Sequence, residues 1–121
     1  MKIVYIAGPY RAPTVNGIVK NIVQAQRRAE WVWTHGDLAI CPHMNTALFL
    51  GGIVPEQQIM DRYITLIRKC DAILMIEGWH RSTGSQREHE EATRIKRVRP
   101  EFEFISDPYR RQTWGLPKFT V

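Results

Sequence analysis

One segment of this chain concentrates side chains that could do chemistry. Gly78-Trp79-His80-Arg81-Ser82-Thr83-Gly84-Ser85-Gln86-Arg87-Glu88 follows directly on the apolar run Ala72-Ile73-Leu74-Met75-Ile76. The pattern is that of a buried strand ending in a small polar turn that opens a helix. In open α/β sheets, ligands bind outside the carboxyl ends of the strands, and the amide groups that start a helix favour anions. Glu88 is the principal chemical group. With Ala92 and Ile95 it recurs at i, i+4, i+7, so it points to the side of the helix that packs on the sheet. A carboxylate there is costly unless it is paired or functional. Glu90 points to solvent, and Glu91 lies between the two. A second reading stays open beside the chemical one: Ser85-Gln86-Arg87-Glu88 fits a capping box, in which Glu88 caps its own helix.

Two further segments fall at the same edge of the expected sheet. In Gly8-Pro9-Tyr10-Arg11, Gly8 lets backbone approach a ligand, Tyr10 offers a ring and a hydroxyl, and Arg11 offers a fork for phosphate or carboxylate. A Gly-Pro turn followed by a solvated Arg is the alternative. In Pro42-His43-Met44-Asn45-Thr46, His43 and Asn45 could bind a sugar or base, although a His after a strand is commonly structural. Trp79 could stack on a base or plug its loop. Arg11, His43, Ser82 and Glu88 can share one cleft if the strands run parallel. Neither a GxGxxG nor a Walker motif is present, which speaks against a dinucleotide fold and a P-loop. Cys41 and His43 have no second pair at ligand spacing, so no metal is expected.

The elements that must position these residues alternate between strand and helix. Lys2 to Ala7 reads as a buried strand broken by Gly8-Pro9. Ile18, Ile22, Ala25, Ala29 and Val32 recur at helical spacing, in a helix that should end near His35-Gly36 with Gly36 past its end. Leu38 to Cys41 is a second strand closed by Pro42. Leu48 to Gly52 is an irregular or briefly helical connector. Pro55 is placed to open a helix whose face is Ile59, Tyr63, Leu66, Ile67 and Cys70. Asp71 to Ile76 is the third strand, a helix runs from about Ser85 to Val98, and Glu101 to Ile105 is the fourth strand. This order argues a parallel sheet of four to five strands with helices on both faces.

Composition bounds the rest. The 121 residues suit one domain, with a core over 1–105 and a C-terminal extension over 106–121. No apolar run approaches membrane-spanning length, no signal-peptide pattern opens the chain, and two cysteines are too few for a disulfide framework. The expected setting is cytoplasmic. The formal charge of +5 brings nucleic acid into view, but basic residues are dispersed and not interleaved with aromatics. Attraction of anionic metabolites accounts for the charge equally well. Trp114, Leu116 and Phe119 are a large apolar share of a short tail and suggest a homo-oligomer, dimer or larger.

With these motifs assembled, the chain resembles the nucleoside 2-deoxyribosyltransferase superfamily, and its short bacterial and phage members in particular. The resemblance runs from Ile3 to about Ile105. It rests on Ile6-Ala7-Gly8-Pro9-Tyr10-Arg11, Cys41 to Thr46, Cys70-Asp71-Ala72-Ile73, and Gly78-Trp79 through Gly84-Ser85-Gln86-Arg87-Glu88 to Ala92. It implies a flavodoxin-like sheet and cleavage of the N-glycosidic bond of deoxynucleosides or their monophosphates, without a cofactor. The superfamily nucleophile is a Glu four residues after a loop Gly, a spacing that Gly84 and Glu88 match. Two departures stand out. The superfamily carries an Asp eight residues ahead of the Asp that begins the third strand, whereas here Tyr63 holds that place and Asp61 is the nearest carboxylate. Six residues before the nucleophile, transferases of free nucleosides carry an Asp, while the nucleotide-hydrolysing branch carries a phosphate-binding Ser. Ser82 stands there.

The combined expectation is an enzyme with Glu88 as nucleophile and Asp61 or Tyr63 beside it. Gly8, Tyr10, Arg11, His43, Asn45, Trp79, Ser82, Gly84 and Ser85 would line a nucleoside or nucleotide. The alternative is a non-catalytic nucleotide-binding or regulatory module on the same fold.

Overall fold

Alternation along the first strand assigns the layers. In β1 (Ile3–Ala7), Val4 and Ile6 pack with Ala25, Ala29 and Val32 of α1 (Val15–Thr34), whereas Tyr5 and Ala7 turn the other way. There they meet Ile67 of α3 (Glu56–Ile67) and Ala92 and Ile95 of α4 (Thr83–Val98). Burial on both faces is what a run of apolar residues without polar alternation implies. The computed structural model describes residues 1–49 and 52–109.

β1 lies inside a four-stranded, all-parallel sheet of order β2-β1-β3-β4, with β2 at Leu38–Ile40, β3 at Ala72–Met75 and β4 at Glu103–Ile105. Helices cover both faces, giving a flavodoxin-like three-layer α/β fold. The chain runs outward from β1 to β2, then crosses back to lay β3 on the other flank of β1. That reversal makes the carboxyl ends of β1 and β3 the topological switch point, where ligands bind in such sheets. In register, Tyr5 stands between Ile40 and Ile73.

Element ends depart from the sequence expectation for local reasons. α1 starts at Val15, ahead of the periodic run, because the Thr14 hydroxyl accepts a bond from the Gly17 amide at 3.1 Å. It ends at a His35 cap followed by Gly36 at φ +83°, as the glycine implies. Pro55 is the residue before α3 and not its first residue. Pro42 opens a single helical turn, α2 (Pro42–Asn45), that periodicity over four residues could not reveal.

A buried ion pair ties the carboxyl side together. The Arg28 guanidinium on α1 donates to both carboxylate oxygens of Asp107, at 3.0 Å each, with both side chains 3% exposed. Asp107 also accepts the amides of Glu77 and Tyr109, each at 2.9 Å. One carboxylate thus joins α1, the exit of β3 and the chain beyond β4. At the opposite edge, Asp37 and Asp71 accept the amides of Lys2 and Ile3 at 2.9 and 2.8 Å and fix the entry to β1. Among the described residues no helix is long and apolar enough to cross a membrane. Trp114, Leu116 and Phe119, on which the expected oligomer contact rests, lie outside the described residues.

Removing one partner of a buried pair leaves an uncompensated charge, at a cost of about 3–5 kcal/mol. Asp107→Ala should therefore lower the unfolding free energy by about that amount in urea denaturation. A loss under about 1 kcal/mol, the range of a surface pair, would mean that the pair does not hold the β3 exit.

Candidate functional site

Glu88 lies in the second turn of α4, 6% exposed, on the face shared with Ala92 and Ile95. The inward direction read from spacing is the observed one. Its Oε2 accepts a short hydrogen bond from the Tyr5 hydroxyl, which is itself buried in β1. Its other oxygen accepts no bond from the described residues, and no guanidinium or ammonium among them pairs with it. Burial pushes the Glu88 carboxyl up to about 8, against smaller downward pulls from the Tyr5 hydrogen bond and the charge of Arg87. The Tyr5 phenol is driven well above its ordinary value by burial and by the facing carboxylate. It is therefore a fixed donor.

The capping-box reading of Glu88 does not hold. The cap of α4 is Ser82, whose hydroxyl accepts the Ser85 amide at 3.3 Å, so the helix begins three residues earlier than the box requires. Glu88 is left with the phenol as its partner. Glu91, one turn on, is as buried at 4% but is held by Arg68 at 2.6 Å and Arg94 at 2.8 Å. The two carboxyl groups differ in kind: one is neutralised by guanidinium, the other by retaining its proton.

The loops after β1 and β2 are wired to each other and to α3. His43 is 7% exposed, and its Nε2 lies 3.0 Å from the Gly8 carbonyl oxygen and 2.9 Å from that of Pro9. Both neighbours are acceptors, so Nε2 carries the hydrogen. Burial also moves the His43 imidazole below its ordinary value, holding it neutral. The Tyr10 ring meets His43 edge-on at 5.9 Å. Gly8 has a packing role that the sequence did not reveal, since a Cβ there would lie 2.6 Å from Ile76 Cδ1 at the end of β3. Asn45 donates to the Tyr63 hydroxyl at 2.9 Å, and Tyr63 donates to Thr46 at 3.2 Å. Asp61 is exposed and accepts from Arg87 at 2.9 Å and Gln57 at 3.0 Å. The Arg87 hydrogen bond holds its carboxyl below the ordinary range. Arg11 is exposed and forms a two-pronged ion pair with Glu56 at the start of α3.

At the α4 entrance, Gly84 admits Met60 of α3, whose methyl would lie 2.7 Å from a Cβ at that position. Ser85 is 1% exposed, and its hydroxyl has no partner among the described residues. Trp79 stacks on His89 at 4.2 Å and 16°, and His89 in turn meets Phe104 of β4 at 5.5 Å. Trp79 thus plugs its loop towards β4. The structure brings Glu88, Gly84, Ser85 and Ser82 together on one helix, links His43 with Gly8 and Tyr10, and sets Asn45 with Tyr63. It engages Arg11 and Asp61 elsewhere, with Glu56 and Arg87.

Sequence reasoning missed Tyr5, Glu56, Arg87 and His89. Tyr5 left one signal, a hydroxyl in an otherwise apolar strand, because a buried tyrosine usually finds a polar partner. The pairs of Glu56, Arg87 and His89 cross between elements and leave no trace in local spacing. Among the described residues no group of three or more His, Cys, Asp and Glu could hold a metal ion. The side chains gathered there offer carboxyl, phenol, imidazole and hydroxyl groups.

A family model described as a domain of unknown function, DUF4406, matches residues 2–98, from the start of the chain to the end of α4. Every candidate residue named above lies within that span. No curated protein and no solved structure matches the chain.

The buried carboxyl generates a stability prediction. The Glu88 proton is held to about 8 in the fold, against 4.5 ordinarily, so the folded state binds more protons than the unfolded state in between. Stability linked to that proton is fully present below the lower value and is lost as pH rises through the upper one. Glu88→Gln, which stays neutral, should abolish this decline and be the more stable protein above about pH 8, by an amount on the order of a few kcal/mol. Urea denaturation across that window checks it. Parallel curves for both proteins would show that Glu88 titrates normally.

Proposed function

The chain belongs to the DUF4406 family, and from the geometry of its site we propose that it cleaves the N-glycosidic bond of deoxynucleosides or their monophosphates. The glycosyl group passes to water or to a second base. Such a protein would be a cytoplasmic homo-oligomer acting on a small molecule, not on nucleic acid, and a monomer in sedimentation would remove the oligomer from the reading. The observation that carries it is Glu88: a buried carboxyl beside the β1–β3 switch point, with one oxygen held by Tyr5 and, among the described residues, no cationic partner and nothing engaging the other oxygen. Buried groups with shifted titration at such a place are characteristic of functional sites.

In the reaction, ionised Glu88 attacks the anomeric carbon through the unengaged oxygen. The carbon–nitrogen bond breaks, its electron pair leaves with the base, and a glycosyl ester forms. Water or an incoming base then displaces the carboxylate. Tyr5 fixes the carboxyl rotamer throughout. Ser82 and the first amides of α4 would receive a phosphate, and Arg11 would join them by exchanging Glu56 for the ligand. His43, Tyr10 and Asn45 border the sugar and base.

A non-catalytic nucleotide-binding module is the second reading, and Asp61 and Tyr63 favour it. Asp61 is exposed and held ionised by Arg87, and the Tyr63 hydroxyl is engaged by Asn45 and Thr46. Neither is a ready proton donor for a departing base.

Release of free base from a panel of deoxynucleosides and deoxynucleotides separates the readings. Glu88→Ala should fold, bind ligand and lose turnover by a factor on the order of 10³ or more. Because the nucleophile is the carboxylate, kcat/KM of the wild type should rise with pH, with its midpoint near 8. Full turnover in a folded Glu88→Ala would remove Glu88 as the nucleophile, nucleotide binding by the wild type without release of base would leave the binding module, and a rate falling with pH would make Glu88 an acid. Monophosphates should bind about tenfold more tightly than nucleosides, an advantage reduced in Arg11→Ala. Equal affinities would remove the phosphate subsite.

A further inference from the structure

Among the described residues two buried side-chain atoms have no hydrogen-bond partner, the Ser85 hydroxyl, which can rotate, and one nitrogen of His43, which cannot. His43 Nδ1 is shielded from solvent and has no partner among the described residues, while the same ring is locked in place through Nε2 and the Gly8 and Pro9 carbonyls. With Nε2 bearing the hydrogen, Nδ1 presents a lone pair, and ring rotation cannot relieve it without breaking two bonds. Buried polar atoms are nearly always satisfied, so an orphan of this kind calls for an account. The described surroundings offer none: the Tyr10 ring approaches edge-on, and Asn45 on the same turn spends its amide on Tyr63. We propose that His43 Nδ1 is a specificity-determining acceptor that takes a hydrogen bond from an N–H or O–H donor of the bound ligand. Tyr10, half-buried over the ring, is the side chain that yields to admit it.

This inference rests on the nucleotide reading of the site and adds to it a rule of selection. An acceptor fixed in tautomer and direction rewards a donor and repels a carbonyl oxygen in the same place. The donor has two possible sources on a deoxynucleotide: the exocyclic amino group of the base, or the sugar hydroxyl. A base amino group would make the protein favour adenine over hypoxanthine, whose carbonyl occupies the same position. A sugar hydroxyl would make it indifferent to that exchange and sensitive to loss of the hydroxyl.

Nitrogen NMR of the histidine-labelled wild type tests the proposal without altering the fold. In the free protein, Nδ1 should carry the signature of an unprotonated nitrogen without a hydrogen bond, and saturating deoxyadenosine monophosphate should move it to that of an acceptor. The inosine counterpart should bind about tenfold more weakly and leave Nδ1 unmoved if the base supplies the donor. The dideoxy analogue should do so if the sugar does. An Nδ1 already hydrogen-bonded in the free protein would overturn the proposal, its partner then being a trapped water. Tight binding of all three nucleotides with Nδ1 unchanged would also overturn it and leave the nucleotide reading intact. Failure of every nucleotide to bind would remove both.

Discussion

A carboxyl group is enclosed between the central strand and the helix that covers it, and the organisation of the site follows from how that group is accommodated. Glu88 faces β1, where the side chain opposite is a tyrosine whose hydroxyl donates a hydrogen bond to it. Burial strips most hydration from the ionised form, which receives one donor from the described residues in return. The proton is therefore retained well above the usual carboxylate range. That arrangement is costly to folding, because any rise in pH forces a charge into the interior or favours the unfolded chain. Proteins tolerate such costs mostly at functional sites, where stability is exchanged for reactivity.

The cost is specific to this position, because the same molecule neutralises its other buried carboxylates. Asp107 is matched by Arg28 and by two backbone amides, and Glu91 by Arg68 and Arg94. Arg87, next in sequence to Glu88, turns instead to Asp61 on α3. Cations are available on the same helix and are directed elsewhere. A purely structural role for Glu88 would be served better by one of them than by a phenol.

Around this group the loops form a connected frame. His43 binds the backbone at the end of β1, Asn45 and Thr46 bind Tyr63, and Arg11 reaches Glu56, so the segments after β1 and β2 are each tied to a neighbour. Gly8 packs without a side chain against Ile76, and Asp107 holds the Glu77 amide, which together draw the ends of β1 and β3 into register. Of these ties, the Arg11–Glu56 pair is the weakest, since both side chains are largely exposed and screened by water. It is the one a competing anion could exchange. The ties of His43 and Asp107, by contrast, are buried.

The sequence by itself determined the layered α/β class, the four strands and the inward direction of Glu88, because these depend on periodicity and breakers that act over a few residues. Val4 and Ile6 against Tyr5 and Ala7, or Glu88 with Ala92 and Ile95, declare their faces through spacing alone. Local spacing left two outcomes open for Glu88, as cap or as buried acid, and the choice turned on Ser82 taking the cap and Tyr5 standing opposite. Tyr5 and Glu88 are 83 residues apart, and their meeting requires the β1–β3 crossing that only the tertiary structure supplies. The same holds for Arg11 with Glu56, Asp61 with Arg87, and the ring of His43 with the carbonyls that fix its tautomer. Charge and hydrogen-bonding capacity are written in the chain. Which groups meet, and which are left without a partner, is decided by long-range packing that brings distant segments to one edge of the sheet.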